Sequence, residues 1–291
     1  MKKTFDNWED VTILINSCDL YMDAWYPFFK LLSIQWPDCS YNKILNTETI
    51  TFHSEFPDVK TICTGKGNWS QRLIKCLEQV ETEFVLFFLE DQFLREPVNV
   101  HWFDNTVDFM RENKDVGVIF VRHTEKQKLN YKTPYFSRDE ITDKFRIVGL
   151  TALYRKDYLL KILRPHENPW EFEKYASIRS KRYPEKVLQY SKEYPPMFVF
   201  DDKIEKGYGI TQRKWLPKNK ELFEKYNIHV NFENLGWFNL EEDKLSEKVV
   251  KIQRDKSQKK SLREHLYKIK NFFKVTKRKV NKKMKEIRSM I

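Results

Sequence analysis

FVLFFLEDQFL, residues Phe84 to Leu94, is the stretch on which the fold turns. Phe84 to Leu89 is apolar at every position, the pattern of a strand covered on both faces. Glu90 and Asp91 follow at once, so two carboxylates stand where that strand ends. Upstream, VTILI (11–15) is a second β-branched apolar run, and it ends in the polar Asn16-Ser17-Cys18-Asp19. Downstream, VGVIFV (116–121) is a third. Helical patterns separate them: Ala24 to Ile34, Asn68 to Val80 with Leu73, Ile74, Leu77 and Val80 on one face, and Val98 to Asn113. Short strands are expected at 42–46 and 60–63. Strands alternating with helices over residues 10 to 121 predict an α/β domain with a mostly parallel, doubly wound, Rossmann-like sheet. The second half is less regular. It reads as a strand at 145–154, a helix at 156–163, a proline-opened helix at 169–182, a Pro- and Gly-punctuated segment at 194–208 and a helix at 218–226.

The chain has 291 residues, enough for one large core, and only 7 glycines, which argues against a glycine-rich phosphate loop. Cys18, Cys39, Cys63 and Cys76 form no CxxC pair and read as free thiols of a reducing compartment. His53, His101, His123, His166, His229 and His265 are scattered without ligand spacing. No segment has the form of a signal peptide, and no run approaches the roughly 18 apolar residues that span a bilayer. A cytoplasmic protein is expected.

The formal charge of +11 is unevenly spread. Residues 251–291 hold 16 Lys/Arg and three acids, leaving 37 basic and 39 acidic residues in 1–250. A near-neutral body argues against nucleic acid as the partner. In the tail, Leu262, Leu266, Ile269, Phe273, Val280, Met284, Ile287 and Ile291 recur at steps of three, four or seven. With lysines and arginines on the other faces, this predicts a basic amphipathic helix suited to an anionic membrane surface. Heptad pairing is the competing reading, opposed by repulsion between two such charges. The division expected is 1–250 as the α/β domain and 251–291 as a peripheral anchor on the cytoplasmic face.

In open α/β sheets, ligands bind beyond the carboxyl ends of the strands. Asn16, Ser17 and Asp19 occupy one such end and Glu90-Asp91 another. Adjacent buried carboxylates suit a divalent cation such as Mg²⁺ or Mn²⁺ bridging to a diphosphate; the plain alternative is an ordinary strand-to-loop transition. Trp69 and Arg72 lie at the start of a helix whose N-terminus could face phosphates, although Trp69 equally suits the core. In Asn168-Pro169-Trp170-Glu171-Phe172-Glu173, Asn168 suits an N-cap and Pro169 the first helical turn. Glu171 and Glu173 then lie about 200° apart around the axis, so one at most faces a given cleft.

These stretches (Asn16 to Trp25, Trp69 to Arg72, Phe84 to Leu94, Asn168 to Glu173 and the Lys214-Trp215 pair) resemble GT-A glycosyltransferases, especially those that build bacterial capsule and lipopolysaccharide. The resemblance covers roughly residues 10 to 220. It implies transfer of a hexose from a nucleotide diphosphate sugar, UDP first, to a lipid-linked or cell-surface glycan. Glu90-Asp91-Gln92 stands in place of the family's DXD motif, an amide replacing the last acid, which leaves Asp91 as the metal ligand if one is used. The resemblance also implies Glu173 as base with Glu171 second, Asp19 near the nucleotide base, Lys214 or its neighbour Arg213 at the departing diphosphate, and Trp215 beside Lys214 at the donor. A nucleotidyltransferase and a non-catalytic nucleotide-sugar-binding scaffold are the rival readings.

Overall fold

A computed structural model of the chain describes residues 10–121, 130–138, 146–191, 193–200 and 209–239. Its contacts divide the chain into one unit from Met1 to Trp237 and a second from Phe238 to Ile291. The elements and the site described below belong to the first unit; the basic helix expected at 251–291 lies outside the described residues.

The first unit alternates strands and helices as expected. β1 (Val11–Asn16), a 3-10 turn at Asp19–Ala24, α1 (Trp25–Gln35), β2 (Asn42–Thr47), β3 (Val59–Cys63), α2 (Trp69–Leu77), β4 (Phe84–Leu89), α3 (Val100–Glu112) and β5 (Val116–Phe120) come first. β6 (Asn130–Tyr131), β7 (Thr133–Arg138), β8 (Ala152–Arg155), α4 (Lys156–Ile162), α5 (Pro169–Ser180) and β9 (Lys186–Tyr190) follow. A small hairpin, β10 (Ile210–Thr211) and β11 (Lys214–Trp215), and α6 (Lys218–Lys225) complete the described order.

The main sheet runs β3-β2-β1-β4-β8-β5-β9-β7-β6. β1 pairs in parallel with β2 and β4, as do β2 with β3 and β5 with β9. β8 lies antiparallel between β4 and β5, and β7 antiparallel to β9. The sheet is thus mostly parallel, with β8 and β7 running against the rest. The strand expected at 145–154 is confined to Ala152–Arg155, and β7 and β9 are additions to the expected set. Their residues mix polar and apolar types (KVLQY, TPYFSR), so they lack the continuous apolar signal of a buried strand.

β4 shows why its sequence is apolar throughout. Phe84, Leu86 and Phe88 point into one core with Trp25, Phe28, Phe103 and Val107 of α1 and α3. Val85 and Phe87 point into the other, with Leu73 and Leu77 of α2, Tyr158 of α4 and Phe172 of α5. Helices cover both faces, and polar residues can enter only at the strand ends. No helix among the described residues is long and apolar enough to cross a membrane.

Candidate functional site at the carboxyl edge of the sheet

The ends of β1 and β4 lie side by side, with Asn16 opposite Leu89. Asn16 Oδ1 accepts from Asn46 Nδ2 at 2.6 Å, and Asn46 Oδ1 accepts from Thr64 Oγ1 at 2.9 Å. This relay across β1, β2 and the turn after β3 orients the Asn16 amide. Its Nδ2 is buried and has no partner among the described residues. Ser17 is held by Trp25, whose Nε1 donates to Ser17 Oγ at 2.7 Å. Arg72, on the first turn of α2, is buried; its Nη2 donates to the Ser17 carbonyl at 2.7 Å, while Nη1 finds no partner among the described residues. Buried N–H donors are almost always satisfied, so two orphans at one sheet edge mark a place where an acceptor belongs.

Glu90 is 7% exposed. Burial, with the neighbouring Asp91 charge adding, pushes its carboxyl up to about 8; the Ser17 hydroxyl and Arg72 pull the other way. Asp91 is half-buried, and its Oδ2 accepts the backbone N–H groups of Gly209 at 3.3 Å and Ile210 at 3.1 Å. Burial raises the Asp91 carboxyl too, opposed by those two N–H groups and by Lys218. Gln92 is wholly buried and folds back, its Oε1 accepting from the Leu89 N–H at 2.7 Å. The amide in the third position of the motif is therefore a brace for the end of β4.

The hairpin docked on Asp91 turns through Gln212 (φ 50°) and Arg213 (φ 64°), both left-handed, as a two-residue hairpin turn requires. Arg213 is exposed at the tip. Burial and Glu90 push the Tyr21 hydroxyl up to about 12, with Arg213 opposing, so the tip and the acids share one electrostatic neighbourhood. Lys214 is half-buried on β11. Trp215, expected to touch the ligand, is wholly buried, stacked on Phe93 at 6.1 Å, so its ring secures the hairpin to the core.

Glu173 reaches the same edge by another route. Because β8 is antiparallel, its first residue, Ala152, lies opposite Phe87 near the end of β4 and Phe120 at the end of β5. Gly149, just before it, donates its N–H to Glu173 Oε1 at 2.7 Å. Burial raises the Glu173 carboxyl above its ordinary value, the Gly149 N–H opposing. α5 is anchored upstream of Glu173. Arg179 grips the buried Glu167 in a bidentate pair of 2.5 and 2.6 Å, and the Glu167 carbonyl accepts from the Ser70 N–H at the start of α2. Neither Glu167 nor Gly149 carries a signal in the sequence, since both act through contacts that join distant segments.

Asn168 caps α5 and Pro169 opens it, as their types imply. Glu171 closes the capping box, its Oε2 accepting from the Asn168 N–H at 3.1 Å. In this position the carboxylate serves the helix end. Asp19 is likewise engaged within the fold. Its carboxylate accepts from the N–H groups of Glu48, Thr49 and Ile50 and from Thr49 Oγ1, clamping that turn. Trp69 is half-buried against Phe172 (5.4 Å) and Phe87 (6.2 Å), a core contact. The four cysteines are free, as expected. Among the described residues no three His, Cys, Asp or Glu side chains gather at one point.

No protein-family model and no curated protein matches the sequence. Among solved structures the chain is similar to S. aureus TarS 1-349, at 14% identity and a TM-score of 0.45, over 65% of this chain and 59% of that one. The same protein in complex with UDP-GlcNAc matches at 14% and 0.44, over 65% and 57%. A cytidylyltransferase from Leptospira borgpetersenii matches at 12% and 0.39, over 66% of this chain and 81% of that one. The chain thus spans less than two thirds of the length of the TarS structures it matches.

Proposed function

We propose that the chain transfers a hexose from a nucleotide diphosphate sugar, UDP-linked by the resemblance of its motifs, to a hydroxyl of a lipid-linked or cell-surface glycan. One observation carries this reading. An acid pair and two buried orphan donors, Asn16 Nδ2 and Arg72 Nη1, converge at the carboxyl ends of β1 and β4. That combination suits a ligand bearing phosphate oxygens and hydroxyls together, which a nucleotide sugar is.

In this reading Asn16, Ser17 and Arg72 hold the donor, and the tip of the 210–215 hairpin brings Arg213 and Lys214 toward the departing diphosphate. Glu173 takes the proton from the acceptor hydroxyl as its oxygen attacks the anomeric carbon. The bond to the diphosphate oxygen breaks, and its electron pair leaves with the nucleotide. A carboxyl raised by burial is the better base near neutrality. Glu90 and Asp91 offer adjacent hard oxygen ligands whose charge is costly to bury, so Mg²⁺ or Mn²⁺ fits here with Asp91 as its protein ligand. Such an ion would supply charge neutralisation of the diphosphate. Residues 251–291 are proposed to hold the enzyme on an anionic cytoplasmic membrane face.

The test is a panel of nucleotide sugars with and without Mn²⁺, comparing wild type with Asp91→Asn. Wild type should release nucleoside diphosphate and glycosylate an acceptor, and the variant should lose both. Donor binding without nucleotide release would make the chain a scaffold. Pyrophosphate release from a nucleoside triphosphate and a sugar phosphate would make it a nucleotidyltransferase.

A further inference from the structure

α5 carries large apolar residues on its exposed side as well as on its core side. Phe172 and Ala176 face the core. Yet Trp170 is 62% exposed, Ile178 49% and Tyr175 38%. At 100° per residue, Trp170, Lys174 and Ile178 form one stripe and Tyr175 borders it. A surface helix normally turns polar residues outward, and three large apolar side chains together on its exposed face, set among lysine and arginine, mark a surface that meets a partner. The charges around this face narrow what that is. Lys174 lies with its Nζ 5.2 Å from the Tyr175 ring centroid, and Lys181 and Arg182 follow at the helix end. The acid on this side, Glu171, is engaged in the capping box.

We propose that the outward face of α5 rests in the headgroup layer of an anionic membrane. Trp170 and Tyr175 would sit at the interface, where amphipathic rings are favoured, and Ile178 would reach the acyl boundary. Lys174, Lys181 and Arg182 would meet lipid phosphates. This contact is independent of the tail and of the donor site. One consequence rests on the functional reading above: Glu173 is on the same helix as Trp170, so the base would be held close to the membrane plane, where a lipid-linked hydroxyl lies.

The test uses the full chain with phosphatidylcholine vesicles, with and without phosphatidylserine, some carrying brominated acyl chains. The difference between wild type and Trp170→Phe isolates the emission of Trp170, which should be quenched by brominated lipid in anionic vesicles. Trp170→Ser/Ile178→Ser should partition at least tenfold more weakly with an unchanged melting temperature. Lys174→Glu/Arg182→Glu, at two exposed positions, should abolish the quenching of Trp170 in anionic vesicles while the tail keeps the chain bound, and serves if the first pair fails to fold. An unquenched Trp170 with unchanged partitioning of the double variants overturns the proposal while leaving the tail and the donor site untouched. Concentration-dependent dimerisation that the variants abolish, without vesicle binding, would assign the face to a second copy and overturn it equally.

Discussion

Asp91 and Gly209, 118 residues apart, are joined by a hydrogen bond of 3.3 Å from the Gly209 N–H to Asp91 Oδ2. The approach is so close that a Cβ on Gly209 would lie 2.7 Å from the Asp91 carbonyl oxygen and 2.3 Å from Phe93. The acid at the end of β4 thereby sets where the 210–215 hairpin sits, and glycine is what lets it sit there.

Gly209→Ala should therefore push the hairpin away from Asp91. The obstructing atoms include backbone, which cannot swing aside, so a loss of about 1–3 kcal/mol in unfolding free energy is expected from overpacking. Urea denaturation measures it. If Arg213 and Lys214 act on the donor diphosphate, nucleotide release should fall along with stability; an unchanged midpoint would refute the packing argument.

Glu90 makes stability depend on pH. Its carboxyl titrates near 8 in the folded chain against an ordinary value of 4.5, so between those limits the native state keeps a proton that the unfolded state has released. Stability contributed by this group is full below about pH 4.5 and is lost as pH rises toward 8, by at most about 1.4 kcal/mol per pH unit. Glu90→Gln removes that dependence. Its unfolding free energy should fall less than that of wild type between pH 5 and 8, as denaturation at a series of pH values would show.

Glu173 and Glu171 separate by their partners. Glu173→Gln should lower transfer by a factor of roughly 10²–10⁴ while leaving donor affinity intact, as loss of a general base does. In wild type, activity should rise with pH through a value above that of an ordinary glutamate, because the group acts deprotonated and burial raises it. Glu171→Gln should leave turnover within a few-fold, since a Gln can still accept from the Asn168 N–H. A larger loss at 171 than at 173 would exchange their roles.

Asn168→Ala tests the frame that carries both acids. The Asn168 side chain accepts from the Glu171 N–H at 3.0 Å, and losing it should cost about 1 kcal/mol. Thermal unfolding reads this as a lowered melting temperature, and Asn168→Ser should restore most of it.

Much of the fold is legible in one dimension. Continuous apolar runs such as Phe84–Leu89 can be stable only where both faces are covered, so they announce a layered α/β sheet, and the acids that interrupt them announce its rim. Asn168 and Pro169 name their helix start because capping is a local matter of backbone N–H groups within one turn. What pairing across the chain decides stays hidden at that level. That Gln92 braces β4, that Trp215 is wholly core, that Asp19 clamps the Glu48–Ile50 turn and that Glu173 meets Gly149 all depend on how the folded backbone brings groups together. The placement of β8 against its neighbours is of the same kind, for strand direction follows from the path of the chain between strands. A residue's type states what it can bond; only the folded chain determines which of those partners arrives.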